Sequence, residues 1–264
     1  MNTNIASETL FTFFDKHSLI KFVNCNCTIL LLILKIKIMK LTFYGHSAFS
    51  INVQGKKILF DPFFTGNPAA NGVSPDTIEA DFIFLSHAHH DHTGDVVSIA
   101  KRTGATVVAP YEVMIWLTKQ GLTNCVGLNH GAYINFPFGK ARGINAIHSS
   151  SFDDGSYGGN PMGFVFSTPE GDFYYSGDTA LTMDMQLIPL WAQVSFAVLP
   201  IGGHFTMDVA DALHASKFVQ TNRVVGVHYD TFPFISIDKT ASKSLFNAEG
   251  KSLLLPDVGT SIEL

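Results

Sequence analysis

Leu85-Ser86-His87-Ala88-His89-His90-Asp91-His92-Thr93-Gly94-Asp95 is the stretch on which the reading of this chain turns. Four of the eleven histidines fall within residues 87 to 92, where even scatter would put about 0.25. In an extended backbone, side chains two apart point the same way, so the imidazoles of His87 and His89 can reach one cation. A turn after His90 then presents Asp91 and His92 to a second. A solvated histidine-rich loop would bind metal only loosely. This cluster sits instead between a buried-strand candidate at 81–85 and a helix candidate at 95–103, rigid flanks that fix ligand directions.

Working outward, 41–44 reads as a strand, and strands at 50–53 and 57–60 flank Gln54-Gly55-Lys56, a hairpin signal with glycine in the turn. Asp61-Pro62 breaks the chain into a Gly-, Asn- and Pro-rich loop at 65–75. Downstream, apolar Val96, Ile99 and Ala100 before Gly104 mark an amphipathic helix with a glycine stop. A strand is expected at 106–109 and a helix at 111–120, stopped by Gly121. Strands follow at 164–167, 173–175, 196–200 and 223–227, with a helix over 208–219. Such mixed alternation predicts an α/β layered domain.

The 264 residues carry a net charge of −5 with 46% hydrophobic residues, which excludes a disordered chain and a strongly basic nucleic-acid coat. Cys25 and Cys27 sit in an atypical N-terminal stretch, and only Cys125 lies in the well-patterned remainder, so no disulfide framework is available there. A metal site must use imidazole and carboxylate, and a reducing cytoplasm is the expected compartment. The aliphatic run at 28–34 is far short of the roughly 20 residues that span a bilayer. A secretory signal would also need a small-residue cleavage site after such a run, where this chain has Lys35, Ile36 and Lys37. Met39-Lys40, leading straight into a strand-like segment, reads as a natural start. Residues 1–38 are therefore expected to be a non-native or disordered extension, and 39–264 a single domain. That domain holds 13 basic and 20 acidic residues, a net charge of −7.

Through His87, His89, Asp91 and His92 the chain resembles the metallo-β-lactamase superfamily, whose hallmark is His-x-His-x-Asp-His after a strand. Within it, the resemblance is to a bacterial metal-dependent hydrolase family close to the ascorbate-phosphate lactonases. Segments 44–47, 60–63, 85–95, 148–151, 177–179 and 228–233 carry it, and it covers essentially 39–264. The resemblance implies a four-layer αβ/βα sandwich of the metallo-β-lactamase type. It assigns His87, His89 and His148 to one metal ion, Asp91, His92 and His228 to another, and Asp178 to both. Asp61 matches the superfamily's early aspartate at a strand end. Nitrogen and oxygen donors without thiolate suit Zn2+, with Mn2+ or Fe2+ as alternatives. Two divalent ions sharing a bridging hydroxide would make water nucleophilic near neutral pH and polarise the attacked oxygen.

Asp91, Asp178 and His204 are the candidate catalytic residues, His204 because it lies on a glycine-rich loop at 201–206 after a strand. His46, after Gly45, is a weaker candidate of the same kind. His17, His90, His130 and His214 read as ordinary histidines. Asp61 is expected either to orient a metal-bound imidazole or to cap its loop, roles that can coexist. Ser149 to Ser151 lack a nucleophile elbow, and the glycine-rich stretch at 155–163 lacks Walker spacing.

The expected function is hydrolysis of a small-molecule ester, lactone, amide or phosphoester. A nuclease of the tRNA-processing type shares the ligands, but the −7 charge opposes phosphate-backbone binding. A diiron oxygen reductase would carry a carboxylate where this chain has His89. A non-catalytic metal-binding module is the remaining alternative. The expected partner is a small-molecule substrate, with no nucleic acid and no membrane; oligomeric state is left open.

Overall fold

The computed structural model describes residues 38–70 and 72–264, together with the backbone of three N-terminal strands. It divides into two compact units, Met1–Ile38 and Met39–Leu264. In the first unit, β1 (Leu10–Asp15), β2 (Ser18–Cys25) and β3 (Thr28–Lys35) pair in sequence order as an antiparallel meander. Positions 1–9, 16–17, 26–27 and 36–37 lie outside the described residues, and the expectation of a non-native or disordered extension falls in part on them.

In the second unit, β4 (Lys40–Gly45), β5 (Ala48–Val53) and β6 (Lys56–Phe60) form an antiparallel meander. The expected hairpin is there, with Gln54 and Gly55 both at positive φ (51° and 75°), the twist that matches tight two-residue turns. β7 (Phe82–Phe84), β8 (Thr106–Pro110) and β9 (Cys125–Leu128) continue this sheet in parallel. A second sheet contains β10 (Tyr133–Phe136), β11 (Gly139–Asn145), β12 (Met162–Ser167), β13 (Asp172–Tyr175), β14 (Val194–Pro200), β15 (Arg223–Val227) and β16 (Ser252–Leu254), in that order. The last strand, β17 (Ser261–Glu263), returns to the first sheet beside β4.

Strand alternation sorts the first sheet's side chains into two cores. Ile58, Phe60, Phe84 and Val108 face the second sheet, whereas Leu59, Ile83, Val107 and Ala109 face away. Between the sheets, aromatic rings interlock: Phe60 meets Phe166 at 5.5 Å, Phe84 meets Phe164 at 5.2 Å, and Phe49 meets Tyr175 at 5.0 Å. Each such ring, fully buried, contributes roughly 1.5–3 kcal/mol by leaving water. On the far side of the first sheet lie α2 (Val96–Thr103) and α3 (Tyr111–Lys119), which bury Val96, Ile99, Val113 and Leu117. Both end as their glycines predict, with Gly104 at φ 71° and Gly121 at φ 86°. α4 (Val209–Phe218) packs on β14, and α5 (Lys239–Ala248) packs on β16. The four-layer αβ/βα sandwich expected from the resemblance is the architecture observed. Among the described residues, no helix is long and apolar enough to cross a membrane.

The strands at 125–128, 133–136 and 139–145 and the helix α5 were not anticipated from sequence. β10 is an edge strand with Tyr133 and Asn135 exposed, and β11 carries two glycines, so neither shows the apolar run of a buried strand. β4, β6 and β7 run in one direction in the first sheet, and β11, β13, β14 and β15 share a direction in the second. The residues of the histidine cluster and its distant partners all lie just beyond the ends of these strands.

Candidate metal centre

β7 ends at Phe84, and the chain runs extended through His87 and His89 before turning into the one-turn helix α1 (His90–Thr93). His89 caps that turn, and the backbone N–H groups of His92 and Thr93 donate to its carbonyl at 3.0 and 3.1 Å. The extended part sends His87 and His89 to one side, and the turn redirects Asp91 and His92. Long-range packing supplies the rest: His148 follows β11, Asp178 follows β13 and His228 follows β15.

Two donor groups result. His87, His89 and His148 present ring nitrogens within 4.8 Å of one another, as do His92, His228 and His46 together with an Asp91 oxygen. In the first group, Nε2 of His87 lies 2.9 Å from Nδ1 of His89. Asp178 stands between the groups: its Oδ2 is 3.7 Å from His148 Nε2, 3.2 Å from His92 Nε2 and 3.0 Å from His228 Nε2. These separations scatter around the roughly 3.3 Å that joins two ligands of a tetrahedral zinc ion with bonds of about 2.0–2.1 Å. Two buried polar atoms here, Asp178 Oδ1 and His228 Nδ1, have no hydrogen-bond partner among the described residues. Orphaned buried groups are costly. Together with the imidazole and carboxylate donors, they fit a bound divalent cation.

Asp61 touches both its loop and a neighbouring imidazole. Its Oδ1 accepts the Ser86 backbone N–H at 2.8 Å, which fixes the loop, while its Oδ2 lies 2.8 Å from His92 Nδ1, which fixes that ring. The hydroxyls of Ser86 and Tyr175 also donate to Oδ2, at 2.6 and 2.5 Å.

His46 is the residue that sequence reasoning underweighted. It is fully buried, and its Nε2 lies 3.1 Å from Asp91 Oδ2 and its Nδ1 2.9 Å from the Thr231 hydroxyl. Its carbonyl also accepts the His228 N–H at 2.8 Å. His46 (φ 55°), Asp61 (φ 40°) and His228 (φ 56°) all hold left-handed backbone, a strain that concentrates at functional sites. The available signal was the strand-ending Gly45-His46 pair, too short to separate from an ordinary turn.

Burial drives the imidazoles of His87, His89 and His148 below their ordinary value, the neutral form that a metal requires. His46 is lowered to about 4, by burial and then by neighbouring His228. Burial pushes Asp178 up, but His228 and His92 outweigh it and hold the carboxyl well down. Asp91 is likewise held down, by His92 and His46 against burial. Conversely, Asp178, Asp61 and Asp91 outweigh burial at His92 and raise it.

All seven residues assigned by resemblance to metal thus converge. His204 belongs to neither donor group among the described residues; it is exposed, with its ring 4.4 Å from Phe205 and 5.3 Å from Phe234. A further property of the surroundings is legible only once the loops are known to meet. Segments 44–47, 61–75, 85–95, 146–161, 176–193, 201–209 and 228–238 contain neither lysine nor arginine.

Residues 56–229 match the family model described as the beta-lactamase superfamily domain. Among curated proteins, the chain is 50% identical over 226 residues to a metal-dependent hydrolase of Flavobacterium johnsoniae, covering 86% of this chain and 100% of that protein. It is 46% identical to one of Christiangramia forsetii, again covering 86% of this chain and 100% of the relative. Among solved structures it is similar to Igni18, a metallo hydrolase from the hyperthermophilic archaeon Ignicoccus hospitalis. The two are 33% identical with a TM-score of 0.78, covering 86% of this chain and 99% of Igni18. An isothiocyanate hydrolase from Delia radicum gut bacteria, 20% identical with a TM-score of 0.69 over 84% of this chain and 98% of its own, shares the fold.

Proposed function

The chain belongs to the beta-lactamase superfamily domain family, among its metal-dependent hydrolases, and from that premise we propose a two-metal hydrolysis of a small-molecule ester, lactone, amide or phosphoester. His87, His89 and His148 would hold one divalent ion, Asp91, His92 and His228 the other, and Asp178 would contact both. Zinc is the proposed metal, since every donor is an imidazole or a carboxylate. The observation that carries the reading is the place of Asp178, whose Oδ2 lies within 3.0 to 3.7 Å of imidazoles from both groups. Bound divalent ions supply a water that ionises near neutral pH and a polarised oxygen on the substrate.

The chain's own residues do the rest. Asp61, fixed by Ser86 and Tyr175, holds His92 through Nδ1 and leaves Nε2 directed at Asp178. Asp91, held ionised by His92 and His46 against burial, presents a carboxylate to its donor group. His46 anchors that carboxylate from behind. A nuclease would need cations along the phosphate track, and the segments around the centre provide none.

The test is elemental analysis of the protein purified without added metal, joined to a panel of esters, lactones, thioesters, β-lactams and phosphodiesters. Asp178→Ala is expected to lower metal content and to reduce turnover at least about 100-fold with the circular dichroism of the fold retained. Wild-type turnover in that variant would remove Asp178 from the mechanism. Metal without turnover on any substrate would favour a binding module.

A further inference from the structure

Beside the buried donors, the same loops expose an apolar wall. Four and six residues after His228, the rings of Phe232 and Phe234 stack at 5.6 Å with an interplanar angle of 17°. Phe232 meets the ring of His46 edge-on at 5.8 Å, so the stack begins at the second donor group. It continues outward, for Phe234 touches His204 at 5.3 Å and Phe205 at 5.5 Å. Phe234 and Phe205 are 52% and 56% exposed.

The loop that carries His204 and Phe205 is tied to the loop of Asp178, because the Met207 N–H donates to the Thr179 carbonyl at 2.9 Å. That loop is tied in turn to the one bearing His148, where Ala180 donates to Ile147 at 3.1 Å. Ile147 itself, immediately before His148, is 53% exposed. Exposed rings held this close to a polar centre form one continuous patch, the kind of surface that marks a ligand site. The segments that build the mouth lack lysine and arginine; Lys239 just beyond them pairs with Asp230 at 3.1 Å, and Arg142 is spent on the ring of Trp191, 4.7 Å away.

We infer that the hydrolysed substrate is an acyl compound bearing an uncharged apolar group of about one ring, which lies on the Phe232, Phe234 and Phe205 wall while its carbonyl meets the donor groups. This rests on the two-metal reading for the position of the carbonyl. A second anionic group on the substrate would find no lysine or arginine in these segments to pair with, and its desolvation would go uncompensated there. A ring-sized apolar group would cover exposed phenylalanine on binding. His204 is thereby assigned to the wall, as a positioning residue through its contact with Phe234.

The experiment is calorimetric titration of zinc-loaded protein with four acids that mimic an acyl product: acetate, succinate, phenylacetate and cyclohexylacetate. Phenylacetate and cyclohexylacetate are expected to bind at least about tenfold tighter than acetate, and succinate no tighter than acetate. Phe234→Ala and, separately, Phe205→Ala should reduce the ratio of phenylacetate to acetate affinity at least about threefold. Tyr133→Ala, exposed on the edge strand β10 and no part of the aromatic wall, should leave that ratio unchanged. Succinate binding as tightly as phenylacetate, or a preference untouched by either phenylalanine variant, would overturn the inference. Because binding needs no turnover, a protein inert on every substrate but retaining the preference would refute hydrolysis and keep the wall. An active enzyme with no preference would do the reverse.

Discussion

The buried imidazoles make the centre sensitive to acid in a direction that can be worked out. His46, lowered to about 4 by burial and by His228, stays neutral in the folded chain across a range where an unfolded imidazole, near 6.5, takes up a proton. His87, His89 and His148 are lowered for the same first reason, burial. Between these values the unfolded state binds more protons, so stability falls as pH drops from about 6.5 towards 4. His92, raised, is protonated in both states over that window and adds no slope there. Asp91 and Asp178, held low, act only below the ordinary carboxylate value. For His46 alone the loss amounts to about 3 kcal/mol. The melting temperature of chelator-treated protein is expected to fall steadily across the window, and a flat profile from pH 6.5 to 4 would contradict the buried-neutral assignment. The sequence showed which side chains could titrate; their shifts depend on burial, which a linear chain does not display.

Loops and the single turn of α1, rather than the longer helices or the strands, carry the ligands, and close backbone packing sets their positions. Gly202, after β14, forms an isolated bridge with Asp208, and a Cβ there would collide with the carbonyl oxygen of His228 and with Ile235. Gly202→Ala is therefore expected to destabilise by roughly 1–3 kcal/mol and to displace His228. Gly250 offers the contrast. Its φ of 69° is also left-handed, but nothing stands within 4 Å of its Cβ position, so its alanine variant should lose about 1 kcal/mol and keep full metal content. Thermal melts with metal analysis of both variants check this, and equal metal content would show that His228 tolerates the shift. The glycines that stop α2 and α3 were legible because a helix end is a local event. The constraint on Gly202 was not, since it comes from a residue 26 positions away.

Over the whole molecule, Met39 is buried at 1% exposure and its carbonyl accepts the N–H of Leu264, so residues 39–264 close a core of their own. Removing 1–38 is expected to leave solubility, metal content and melting temperature of the remainder unchanged; precipitation or metal loss in the shortened protein would give the extension a structural role. The sequence by itself determined the metal chemistry and the layered fold. His87 to His92 cluster within six residues, strand and helix periods alternate, and short motifs at Asp61, His148, Asp178 and His228 follow in order. Only the tertiary structure decided the relative standing of His46 and His204. Each is a lone histidine beside a glycine, alike in one dimension. The turn after β4 places the first against Asp91 in the buried centre, while the loop after β14 leaves the second on an exposed aromatic wall. Which of two such residues reaches a site is fixed by strands paired across the sheets, contacts between positions far apart in the chain that no local pattern encodes.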